Sequence, residues 1–109
     1  MTPENLNMEE LTEARRKAVA ASIRTISGEE LKTLGEQLFP LAGDPWRERY
    51  FAFLAENPGA TFYHATTHDG VQIVSCPAQD KGIWFKPGIG MGPMQPKGRA
   101  ILKKIVEGS

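Results

Sequence analysis

Apolar side chains return at helical spacing along the first half of the chain, and after Gly59 they alternate instead. Between Met8 and Ile26 there is no Gly or Pro. Leu11, Ala14, Ala18, Ala21 or Ser22, and Thr25 recur at three- and four-residue steps, with Val19, Ile23 and Ile26 on an adjoining stripe. That period predicts an amphipathic helix with a wide, shallow apolar face. Its acids, Glu9, Glu10 and Glu13, come early and Arg15, Arg16, Lys17 and Arg24 come late, the order that a helix dipole favours. Met1 to Asn7 shows no period and reads as a frayed lead-in.

Ser27 and Glu30 have the spacing of a capping box, so a second helix is expected there, carrying Leu31, Leu34 and Leu38. Phe39-Pro40 closes it, because a residue before proline is pushed out of helical geometry. Asp44-Pro45 reads as cap and first position of a third helix that turns Trp46, Tyr50, Phe53 and Leu54 inward. Asn57-Pro58-Gly59 ends it.

Ala60 to Thr67 and Val71 to Cys76 are rich in the β-branched and aromatic residues that suit strands. Asp69-Gly70 between them predicts a hairpin with a two-residue turn. Ala78 to Gly82 is a second turn and Ile83 to Lys86 a third strand. Pro87 to Gly98 reads as a rigid Gly/Pro-rich connector, and a last helix from Pro96 or Lys97 to Glu107 turns Ile101, Leu102, Ile105 and, at the edge of that stripe, Val106 inward. The expected fold is α+β: three N-terminal helices, a three-stranded antiparallel β-meander and one C-terminal helix, in a single domain over residues 8–109.

Composition supports a chain that folds on its own: 109 residues, 40% hydrophobic and 24% charged. Thirteen basic side chains balance thirteen acidic ones, so no global positive field draws the protein to nucleic acid or anionic membranes, and any basic site is local. Cys76 is the sole cysteine, which excludes an intramolecular disulfide. No leader-like apolar stretch opens the chain, and no run approaches the roughly 20 apolar residues of a membrane span. A cytoplasmic location is expected.

His64, His68 and Cys76 are the candidates for a metal site or a thiol nucleophile with its base. With a two-residue turn, His64 faces Ser75 and Tyr63 faces Cys76, so the histidines project from one side of the sheet and Cys76 from the other. His64 and His68 stand roughly 13 Å apart along a strand, too far to share an ion. No metal site, cofactor or catalytic residue is therefore assigned. Gly90, Gly92, Lys97 and Arg99 have the general layout of an anion site before a helix, but the Gly-Lys-Ser/Thr of a phosphate-binding loop is missing, and Pro93 and Pro96 remove amide donors.

Trp84 and Phe85 are adjacent on a short strand and so face opposite ways. With Met91 and Met94 they mark the surface expected to meet a protein partner or a second copy of the chain. The sequence thus reads as a non-enzymatic binding module working through its third strand and the Gly/Pro-rich loop. One alternative is a nucleic-acid or phosphate-anion binder using the basic residues of the first and last helices, provided the two adjoin. Another is a small enzyme with a strand histidine as acid or base.

Overall fold

The structure, a computed structural model, describes residues 12–108. Its elements are α1 (Glu13–Ser22), β1 (Arg24–Ser27), α2 (Gly28–Leu38), α3 (Pro45–Ala55), β2 (Thr61–Thr66), β3 (Gln72–Cys76), a single 3-10 turn (Pro77–Gln79), β4 (Lys81–Lys86), β5 (Gly90–Pro93) and α4 (Pro96–Gly108). The strands form one five-stranded antiparallel sheet in the order β1-β2-β3-β4-β5. The expected three-stranded meander behind three uninterrupted helices is thereby corrected: a strand divides the helical series, and another occupies the Gly/Pro-rich connector.

The first helix ends at Ser22, not at Ile26. Ile23, Thr25 and Ile26 are β-branched, lose side-chain freedom in a helix and fit a pleated surface better. Ser22 makes the junction: its hydroxyl accepts from the Thr66 amide at 3.0 Å and lies 2.9 Å from the Ala18 carbonyl. The expected helix start at Met8 lies outside the described residues. Ser27 ends β1 and also caps α2, accepting from the Glu30 amide at 3.2 Å, so the cap stands where the sequence puts it, while the Glu30 carboxylate meets the Ser27 hydroxyl at 3.4 Å in place of the cap amide. Asp44 likewise caps α3 through the Trp46 amide at 2.9 Å.

β5 exists because its glycines fit under an indole. A Cβ built on Gly92 would stand 2.9 Å from Trp84 Nε1, and one on Gly90 would stand 3.2 Å from Trp84 Cη2. The Trp84 ring thus lies across the edge strand, supplying the apolar cover that glycine lacks. The Met94 amide donates to Gly82 O, so Met91 and Pro93 alternate out of that ladder and Pro93 sits where it forfeits no pairing bond. A proline on the outward side also blunts the edge against further strands.

The hairpin at Asp69-Gly70 forms with a different turn. Thr67 N–H donates to Val71 O at 2.9 Å, Gly70 N–H donates to Thr67 O at 3.1 Å, and Gly70 alone of the turn residues has positive φ, at 87°. This is a three-residue loop closed by a left-handed glycine, and the two-residue turn is corrected by one position. Tyr63 now faces Ser75, His64 faces Val74 and Ala65 faces Ile73.

Two helical layers cover the sheet. α2 and α3 lie over Ile26, Phe62, Val74, Cys76 and Phe85, where Phe39, Tyr50 and Phe85 stack with ring centroids 5.2–5.6 Å apart. Gly35 permits this approach, since a Cβ there would stand 2.5 Å from the Tyr50 ring. On the other face α1 and α4 close over Ala65 and Ile73 with Val19, Met94 and Leu102. Arg15, only 7% exposed, pins α1 to the hairpin through Asp69, with Nη2 2.8 Å from Oδ2.

Candidate functional site

Three of the five strands bring hydroxyl side chains into one row. Thr25 of β1 stands opposite Tyr63 of β2, and Tyr63 opposite Ser75 of β3, all projecting on the face covered by α1 and α4. The row continues at Gly82 of β4, where the missing side chain admits Met94: a Cβ there would stand 2.8 Å from its sulfur. Met94 thereby seats the start of α4 close to the sheet.

Over this row lies a cavity of about 330 Å³ lined by Tyr63, Ser75, Pro77, Asp80, Arg99 and Lys103. Its floor is sheet, its end wall the turn between β3 and β4, and its roof one side of α4, where Arg99 and Lys103 stand a helical turn apart. Arg99 is fixed in place. Its Nη1 donates to Met94 O at 2.8 Å and its Nε to Asp80 Oδ1 at 3.1 Å, which ties the first turn of α4 to the β3–β4 connection.

Ser75 is only 6% exposed, yet its hydroxyl has no hydrogen-bond partner among the described residues. No fully sealed side-chain oxygen or nitrogen lacks a partner among them, so this hydroxyl keeps its opening onto the cavity. The Tyr63 hydroxyl is likewise unpartnered, and Lys103 makes no ion pair among the described residues. Ser75, Tyr63, Lys103 and the held Arg99 therefore line one space of small-molecule size, with Asp80 committed to Arg99. Such a set is suited to an oxyanion, to which hydrogen bonds are shorter and stronger than to neutral acceptors.

Tyr63 also lines a smaller neighbouring cavity of about 160 Å³ with Ile23, Arg24, Thr25 and Val106. On the other side of α4, Ala20, Ile23, Ile101, Ile105 and Gly108 line an open groove against α1, with Arg16 and Lys104 at its margin.

The residues singled out from sequence scatter. Phe85 is fully buried in the α2–α3 core and Met94 is 4% exposed, while Trp84 and Met91 are half-buried. Gly90 and Gly92 lie under Trp84 in β5, Lys97 is exposed at the start of α4, and only Arg99 of that group reaches the cavity. The one-residue change of register also corrects the histidine and cysteine geometry: His64 and Cys76 share the α2–α3 face. Cys76 is fully buried there. His64 is bonded through Nε2 to Gln72 Oε1 at 2.7 Å, and burial, with Arg24 nearby, lowers its pKa below the ordinary 6.5. Neither histidine is hydrogen-bonded to a carboxylate, and no group of three or more His, Cys, Asp or Glu is placed to hold a metal ion, among the described residues. No described helix is long and apolar enough to cross a membrane.

Tyr63 and Ser75 are the site residues that sequence reasoning passes over. With a two-residue turn they fall on opposite faces; the signal for the longer loop is Thr67, whose hydroxyl accepts from the Val71 amide at 2.9 Å and donates to Asp69. Comparison with protein-family models, curated proteins and solved structures finds no match.

Proposed function

We propose that this protein is a binding module for a small anionic ligand, held between the sheet and α4 by Ser75, Tyr63, Lys103 and Arg99. The observation that carries the reading is Ser75: a hydroxyl on a residue more than nine-tenths buried, unpartnered among the described residues, in a cavity that two cations also line. A buried polar group ordinarily finds a partner, and one left open to a cavity is suited to receive it from a ligand. Charge placement supports the same reading. The α4 segment, which roofs the cavity, has four basic side chains and one acidic, whereas α2 on the opposite face of the sheet has three acidic and one basic. A net charge of zero thus hides a face that attracts anions.

Isothermal titration at low ionic strength, with inorganic phosphate and acetate as separate probes, tests the reading. Both should bind. Ser75→Ala should weaken them by roughly three- to tenfold, the span of one hydrogen bond, and Lys103→Glu by more than about tenfold. Absence of binding by either probe to folded protein, or indifference to both substitutions, contradicts the proposal.

A further inference from the structure

We infer that the ligand is an amphiphilic acid whose oxyanion head sits on Ser75 and Lys103 and whose apolar tail crosses Tyr63 into the smaller cavity between Ile23 and Val106. The inference rests on the anion reading and adds the class of molecule. Its basis is the contrast between two cavities that share one wall. On the Ser75 side, Tyr63 meets Arg99, Lys103 and Asp80; on the Thr25 side it meets Ile23 and Val106.

Arg24 also lines the smaller cavity, but its guanidinium is drawn the other way. Nη1 lies 3.9 Å from Glu30 Oε2 on α2, and its charge bears on His64, across the sheet from Tyr63. That leaves Thr25, the outer hydroxyl of the row, as the polar group directed to this side. The half-buried Tyr63 ring between the cavities offers an apolar face to whatever passes over it. Ser75 and Thr25 belong to strands on either side of β2, so the span from head to tail is about 10 Å at the usual strand spacing. Cavities of about 330 and 160 Å³ fit a compact head group and a short tail.

The test is a series of straight-chain carboxylates from acetate to octanoate, titrated calorimetrically below their micelle concentrations. Affinity should rise by about fourfold per methylene until the smaller cavity is filled, and then level off. Val106→Trp, which fills that cavity, and Val106→Ser, which makes its wall polar, should each flatten the rise. Lys103→Glu should remove binding across the series. A flat series with acetate and phosphate still bound overturns the tail and leaves the anion reading standing. No binding of any acid or of phosphate by folded protein overturns both. Binding to phosphatidylglycerol vesicles without response to the free acids also overturns the inference, since it points to a membrane surface instead of a free amphiphile.

Discussion

His64 occupies a position where protonation opposes folding. The residue is 8% exposed on the α2–α3 face of β2, its ring bonded to Gln72, with Arg24 directly opposite on β1. Burial first, then the Arg24 charge, disfavour the imidazolium in the folded state, while the Gln72 bond works the other way. The unfolded chain therefore binds the proton at a pH where the folded chain does not. Stability is fully present above the unfolded value of 6.5 and declines as pH falls through it toward the lower folded value. The slope cannot exceed about 1.4 kcal/mol per pH unit, the contribution of one proton. Urea unfolding at successive pH values from 7.5 downward should show this decline, and His64→Phe should flatten it. Asp69, whose carboxyl the Arg15 guanidinium holds well below its usual 3.8, adds a separate loss only at more acidic pH. At this scale the sequence was legible in its caps, Ser27 and Asp44, because a cap depends on neighbours a few residues away. Ser75 and the Arg15–Asp69 pair were not, since each depends on which residues the register sets opposite one another.

Among the elements, β1 and β5 are the ones that helical and loop patterns conceal. Four residues are too few for alternation to stand out, and β1 follows a helix whose stripe continues by chance into Thr25 and Ile26. The glycines and proline of β5 read as a connector until a tryptophan is placed over them. That placement has a direct consequence. Gly92→Val puts branched carbons where Trp84 Nε1 and Cε2 already stand within about 3 Å of a Cβ position, so the indole must lift from the strand. The variant should be destabilised by about 1–3 kcal/mol and its tryptophan emission should shift to the red as Trp84 gains solvent. An unchanged melting temperature and spectrum would show that the ring does not lie on β5. The longer helices and central strands were legible because their periods run over more residues, and α2, α3 and α4 stand close to where apolar spacing and caps put them.

For the molecule as a whole, sheet order decides what the surface offers. Because β1 leads the sheet while the chain runs on through α2 and α3, the helix before β1 and the helix after β5 both cover the same face. The first and last helices, distant in sequence, thereby share one face of the sheet, with Arg16 and Lys104 lining the groove between them and Arg99 and Lys103 of α4 over the hydroxyl row. Whether they adjoined was the question that composition left open, and only the five-strand order answers it. An anion is expected to bind this side at Ser75 and Tyr63. Backbone amide chemical-shift mapping during titration with octanoate and, separately, inorganic phosphate tests it most directly. Phosphate should move resonances of Tyr63, Ser75, Asp80, Arg99 and Lys103, and octanoate should move those and add Ile23, Thr25 and Val106. Shifts confined to Trp84 and residues 90–93, or no shifts at millimolar ligand, would contradict this.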